Sequence, residues 1–230
     1  MVRLCQALMV SLFVFLCACK DRINNPEPLP ATPLFVAAAA DTAVIERGID
    51  AIPEENAILV EWHDHEEHEI YYLYRRKEGA AAFALLATSS DTSYLDRVDV
   101  GTRYYYCLQA ENDAGRKSAP SDTIHYMLLP KANNLRISTE DSLQFHWQLQ
   151  GMRPVHFILR LFDESRNELV WLSVIPPRYQ GVNEQITFNR DRSARYDPLT
   201  AGTRYRWRID CVGAASWSGS ESGWHRFTML

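Results

Sequence analysis

The densest run of chemically competent side chains is His63-Asp64-His65-Glu66-Glu67-His68-Glu69, three imidazoles and four carboxylates in seven residues. Imidazole nitrogen suits zinc and copper, so His63, His65 and His68 are candidate metal ligands. The helical H-E-x-x-H pattern works because its two histidines fall on one face of a helix. Here His65-Glu66-Glu67-His68 is one residue short, and the segment lies between two strand-like runs where no helix would align the ligands. The spacing therefore favours a solvated loop whose carboxylates keep neighbouring imidazoles protonated.

Aromatic side chains form a second concentration. In Tyr71-Tyr72-Leu73-Tyr74, alternation with Tyr71 and Leu73 inward points Tyr72 and Tyr74 outward. In Tyr104-Tyr105-Tyr106 the same logic exposes Tyr105. Three outward tyrosines on one sheet face could hold a sugar ring or a protein partner. Aromatics also favour strands for cross-strand pairing alone.

Other catalytic patterns fail. There is no glycine-rich phosphate loop, and Gly219-Ser220-Glu221-Ser222-Gly223 carries glutamate where a G-x-S-x-G nucleophile belongs. Past the N-terminal region there is no Cys-x-x-Cys pair. No catalytic residues and no dissociable cofactor are expected, and the chain does not read as an enzyme.

The elements that must position these residues are strands. Tyrosine and tryptophan are plentiful at 11 and 6, while glycine stops at 10; this composition leans toward β structure. A hydrophobic share of 47 % is enough for buried cores. The net charge of −5, with no basic run, argues against nucleic acid, which demands clustered cations.

Gly101-Thr102-Arg103-Tyr104 recurs as Gly202-Thr203-Arg204-Tyr205, and each copy opens a period-two run. A repeat this long marks a repeated domain, not a solenoid unit. In the first copy strands are expected at Ala57–Trp62, Ile70–Arg76, Phe83–Leu86, Thr92–Asp96 and Tyr104–Ala110. In the second they are expected at Leu135–Ile137, Leu143–Trp147, Phe157–Leu161, Leu169–Ile175 and Tyr205–Cys211, with one last strand across Ser220–Phe227 and a long loop over Pro176–Gln185.

Trp62, Tyr71-x-Leu73-Tyr74-Arg75, Tyr94-x-Asp96, Gly101-Thr102-x-Tyr104 and Ala110-x-Asn112-x-x-Gly115-x-x-Ser118 together resemble a fibronectin type III domain over residues 31–128. Residues 129–230 resemble the same family less closely. The resemblance implies two tandem immunoglobulin-like β-sandwiches, an all-β fold, with Tyr104 and Tyr205 as tyrosine corners. One departure is Ala37–Ile52, longer than the usual first connection, with an apolar piece at Ile49-Asp50-Ala51-Ile52. The short junction Leu128-Leu129-Pro130-Lys131 suggests modules set end to end. Alternation buries Cys211 and turns Cys107 outward on the other module, so the two should not pair.

The N-terminus carries an address. Arg3 precedes an apolar run from Leu4 to Leu16, a secretory-signal pattern too short to span a bilayer. Leu16-Cys17-Ala18-Cys19 resembles the bacterial lipobox, which implies cleavage after residue 18 and a diacylglycerol and a further acyl chain on Cys19. Loss of residues 1–18 removes Arg3 and moves the net charge to −6. Residues 19–30, polar and proline-rich, read as a tether.

The combined expectation is a lipid-anchored protein of the bacterial cell envelope, on the outer membrane in preference to the inner. It would act as a binding or scaffold module for envelope proteins. One alternative is a glycan-binding accessory of a surface uptake system using Tyr72, Tyr74 and Tyr105; another is metal capture by His63, His65 and His68.

Overall fold

A computed structural model of the chain describes residues 28–178 and 181–230. Cys19, the signal segment and most of the tether lie outside these residues. Every regular element described is a β-strand.

The first half comprises β1 (Ile49–Ala51), β2 (Ala57–Glu61), β3 (Ile70–Lys77), β4 (Ala84–Ser89), β5 (Ser93–Arg97), β6 (Arg103–Glu111) and β7 (Ile124–Leu128). The second comprises β8 (Asn133–Ser138), β9 (Gln144–Gln148), β10 (His156–Asp163), β11 (Glu168–Ile175), β12 (Asn183–Thr187), β13 (Arg204–Val212), β14 (Ser218–Glu221) and β15 (His225–Thr228).

Sheet order is the same in both halves. Strands β1-β2-β5 face β4-β3-β6-β7, and β8-β9-β12 face β11-β10-β13-β14. This three-against-four arrangement of antiparallel strands is that of an immunoglobulin-like sandwich. Alternation along β6 is strict: Tyr104, Tyr106, Leu108 and Ala110 are buried, and the residues between them are not. They pack against Ile58, Val60 and Trp62 from the opposing sheet. In the second core Trp147 and Phe145 meet Phe157, Trp171 and Trp207. Each fully buried side chain of this size contributes about 1.5–3 kcal/mol.

The five first-half strands expected from alternation fall close to where it put them, β7 is a strand the sequence reading did not name, and the second half differs at two places. The expected last strand is two: β14 pairs Asp210–Val212, and β15 pairs Arg204–Trp207 at the other end of β13. The expected loop over Pro176–Gln185 runs into β12, which pairs β9 from Asn183 to Thr187. Its short Glu184-x-Ile186 alternation is too brief to register against the preceding prolines.

The apolar piece at Ile49 is also a strand. β1 lies on the same edge of β2 that Phe35 meets through a bridge to Trp62. The first strand is thus split, and residues 37–48 leave the sandwich between its two pieces. They return at Gly48, whose φ of +88° suits glycine. A Cβ there would lie 2.8 Å from both Ala38 Cα and the Val36 carbonyl oxygen.

The two sandwiches are not set end to end. β7 pairs β14 in parallel, Met127 beside Ser218 and Leu128 beside Gly219, so one nine-stranded sheet runs through both. Small residues on β14 permit the approach: a Cβ on Gly219 would stand 2.9 Å from the Cys211 carbonyl oxygen and 3.0 Å from the Tyr126 hydroxyl. The junction itself is tied down, since Lys131 Nζ donates to the carbonyls of Ile52, Pro53 and Glu55 at 2.5, 3.1 and 2.6 Å.

Candidate binding surface

The outer face of β3, β6 and β7 carries the tyrosines singled out above. Register places Tyr72 beside Gln109, Tyr74 beside Cys107 and Arg76 beside Tyr105; β7 then sets His125 beside Tyr105. All point away from the core, because their odd-numbered or even-numbered neighbours on each strand fill it.

The ring faces of two tyrosines are occupied. Lys117 Nζ lies 3.4 Å from the centre of the Tyr72 ring, whose hydroxyl donates to Glu111 at 2.7 Å. Arg76 stacks 4.2 Å above the Tyr105 ring and 5.4 Å from that of Phe83. Each contact is a cation over an aromatic face. A sugar stacking on Tyr72 or Tyr105 would have to displace the cation first. Tyr74 sits between them, half-buried, next to the exposed Leu85.

The aromatic row continues into the second sandwich. Tyr105 and His125 have ring centres 5.6 Å apart, and His125 and Trp217 are 5.1 Å apart. Trp217 is 44 % exposed and is the last residue of the turn before β14. Its backbone has a φ of +52°, and its carbonyl accepts the Met127 N–H at 3.1 Å. The pairing of β7 with β14 therefore fixes the tryptophan beside His125. Burial, with Arg103 adding to it, holds His125 below the usual imidazole range; at neutral pH it presents an uncharged ring.

His125 and Trp217 were not singled out from the sequence. Trp217 lies in the second repeat, and only the parallel strand pair brings it to the first. No local pattern carries that information. Arg76 was within reach, because its spacing from Tyr72 and Tyr74 puts it on the same face.

The histidine run forms a turn between β2 and β3. His65 and His68 stack with ring centres 4.7 Å apart, and His68 meets Tyr71 edge-on. His68 Nε2 is 2.8 Å from the Ala31 carbonyl oxygen, and Glu67 accepts the Ala31 N–H at 3.2 Å. His65 Nδ1 accepts the Glu67 N–H. The turn thus clasps the start of the described chain. Ligand atoms of His63, His65 and His68 do not converge, and a metal would have to take His68 from Ala31.

Among the described residues, the group whose ligand atoms do converge is Glu46, Asp210 and Glu221, within 4.8 Å. Two buried guanidiniums already hold it. Arg160 donates from Nε to Asp210 at 2.6 Å and from its two Nη atoms to the carbonyls of Ala43 and Asp41 at 2.6 Å each. Arg208 donates to Asp210 at 2.8 Å, Glu46 at 2.5 Å and Glu221 at 2.6 Å. Arg160 and Glu46 also lie 2.9 Å apart. Glu46, Asp41 and Ala43 belong to the 37–48 excursion; the remaining groups belong to β10, β13 and β14. The excursion is therefore a strap from the first sandwich laid over the outer face of the second. Burial raises Asp210 and Glu221 above the usual carboxylate range despite the two arginines. Beside them Asp50, bonded to the Tyr126 hydroxyl at 2.9 Å, is pushed up to about 6 by burial and then by Glu46.

The remaining residues named from the sequence are structural. Tyr104 donates to Asp99 at 3.2 Å and accepts its N–H at 3.5 Å, while Tyr205 accepts the Thr200 N–H at 3.1 Å. Each hydroxyl reaches back five residues along its own chain. Cys211 is buried and Cys107 half-buried, both as free thiols.

No protein-family model and no curated protein matches the chain. Among solved structures, a two-domain fibronectin type III segment from chicken tenascin is 18 % identical, over 78 % of this chain and 95 % of that one, with a TM-score of 0.31. The FN1–FN3 domains of chicken CNTN1 are 11 % identical over 86 % of this chain and 67 % of theirs, with a TM-score of 0.33. At such values the fold rests on this chain's own strand order, two immunoglobulin-like sandwiches sharing one sheet.

Proposed function

We propose that this chain is a non-catalytic binding protein, tethered to the bacterial envelope through lipid on Cys19, that presents two rigidly joined sandwiches to a protein partner. The observation that carries the reading is the row Arg76–Tyr105–His125–Trp217, which crosses the join between the sandwiches. Protein interfaces are rich in tyrosine, tryptophan and arginine and centre on a few such anchors. Because Trp217 and Tyr105 come from different sandwiches, the surface exists only while the sandwiches are locked. The strap and the shared sheet supply that lock, so the arrangement suits a scaffold of fixed geometry.

The test is in-cell crosslinking of the full chain and of a Tyr105→Ala, Trp217→Ala double variant, followed by mass spectrometry. A partner recovered in near-equal amount with the parent chain and lost with the variant supports the reading. Equal recovery with both chains refutes the surface. Acyl-chain labelling of the parent and of Cys19→Ser tests the anchor: label retained on the variant would exclude Cys19.

A further inference from the structure

A concave site of about 470 Å³ lies on the second sandwich, between the end of β11 and β12. None of its lining residues belongs to the aromatic row or to the strap. Its apolar wall is made by Val174, Ile175, Pro176, Pro177 and Ile186. Its charged groups are Glu184, Asp191, Arg178 and Arg190.

The two carboxylates are spent on the protein itself. Glu184 is 3 % exposed and accepts the Arg178 N–H at 3.0 and 3.2 Å, with Arg153 Nη1 3.5 Å away. Asp191 accepts Trp171 Nε1–H at 2.8 Å, the Ser173 hydroxyl at 2.7 Å and the Ser193 hydroxyl at 2.8 Å. Burial pushes Asp191 up, but these hydrogen bonds outweigh it and hold the carboxyl below its usual range. Among the described residues the Arg178 and Arg190 guanidiniums have no carboxylate or carbonyl partner. Both line the pocket and are exposed, so their donors are open to solvent or to a ligand.

The rim is built to stay in place. Arg153 donates to the carbonyls of Arg178 and Gly181. On the other side Asn189 and Arg192 hold left-handed conformations at φ of 52° and 58°. Asn189 secures that turn by accepting the Ala194 N–H at 2.9 Å and donating to Asp197 at 2.8 Å. A left-handed arginine is strained and persists where its surroundings impose it. The backbone that carries Arg190 is thereby held in place.

We propose that this pocket binds a carboxylate attached to an apolar group, the arginines taking the carboxylate and the Val174–Pro177 wall taking the apolar body. Guanidinium is the side chain whose donor fork matches a carboxylate. The volume falls within the ordinary range for small-ligand sites, about 300–1,000 Å³. The same chemistry is carried by a free organic acid and by the C-terminal residue of a protein.

The test follows Val174 and Ile186 methyl resonances in the Cys19→Ser chain of residues 19–230. Probes are N-acetyl-leucine, N-acetyl-leucinamide and an N-acetylated tripeptide ending in free leucine. N-acetyl-leucine should shift both methyls, and the amide should bind about tenfold more weakly or worse, the factor expected for a charged hydrogen bond. Arg178→Gln with Arg190→Gln should abolish the difference between acid and amide, with the tryptophan emission of the chain unchanged to show the fold intact. Arg190→Lys should recover part of it. Tighter binding of the tripeptide identifies a protein terminus as the source; equal binding identifies a free acid. Equal affinity for acid and amide, a double variant that still prefers the acid, or methyls that do not move would overturn the proposal.

Discussion

Arg208 and Glu46 are separated by 162 positions in the chain, yet Arg208 Nη2 and Glu46 Oε1 stand 2.5 Å apart in a site closed to solvent on the arginine side. The contact joins a strap of the first sandwich to β13 of the second. With Arg160 and Asp210 it converts two domains on a short junction into one body.

Breaking this network should uncouple the sandwiches. Removing one member of a buried ion pair typically costs about 3–5 kcal/mol, because the partner stays buried without its countercharge. Arg160→Ala strips Asp210 of one guanidinium and frees the carbonyls of Asp41 and Ala43. Glu46→Gln, at the half-exposed end, should cost less. The parent chain should unfold in urea in one cooperative step and Arg160→Ala in two. A single transition at unchanged midpoint in Arg160→Ala would show that the shared sheet alone holds the halves together.

The lock should also loosen as pH rises. Asp50 ordinarily titrates at 3.8 and is held at about 6. The folded state therefore takes up a proton that the unfolded state gives away. That contribution is fully present below pH 3.8 and is lost as pH climbs through 6, on the order of 3 kcal/mol at 1.36 kcal/mol per unit. Asp210 and Glu221 are raised as well and act in the same direction, while Asp163 and Asp191 are lowered and act against them. The difference between parent and Asp50→Asn isolates one group. Asp50→Asn keeps an acceptor for the Tyr126 hydroxyl and should gain on the parent between pH 4 and 7, measured by denaturant midpoint. A constant gap across that range would contradict the assignment.

Gly48 is where the strap returns, packed against Val36 and Ala38 where it leaves, and Gly48→Ala should be costly. The added Cβ meets backbone atoms at 2.8 Å, and the φ of +88° is unfavourable for alanine. A loss of about 1–3 kcal/mol is expected, the range for strained backbone positions. Gly79 offers a control, with a φ of +82° and nothing within 4 Å of the added Cβ. If thermal unfolding ranks the two variants equally, the close approach at Ala38 has no energetic weight.

How much of this was legible beforehand depends on the range of the interaction. Local alternation was sufficient for β3 and β6, and so for the outward direction of Tyr72, Tyr74 and Tyr105. The strap was visible only as an oversized connection, since nothing in Ala37–Ile52 names Arg160 and Arg208 as its targets. Those arginines sit on strands whose outward positions would ordinarily face water, and they are buried only because a distant segment covers them. Trp217 was hidden for the same reason, since His125 and Tyr105 lie far away in sequence; the pocket arginines were hidden because β12, which closes the pocket, was read as part of a loop.

The two thiols give the simplest check of register. Cys107 occupies an outward position of β6 between Tyr105 and Gln109, half-buried, and burial raises its thiol. Cys211 occupies an inward position of β13, 1 % exposed, with its thiol pushed up to about 12. Thiolate is the reacting species, so both should be slow and Cys211 far slower. In a chain of residues 19–230 carrying Cys19→Ser, a disulfide reagent at pH 8 should titrate one thiol in the native state and the second only in denaturant. Cys107→Ser should remove the native-state reaction. Two thiols reacting together without denaturant would mean that β13 is not packed in the second core as described, and the strap bonded to its outer face would lose its footing.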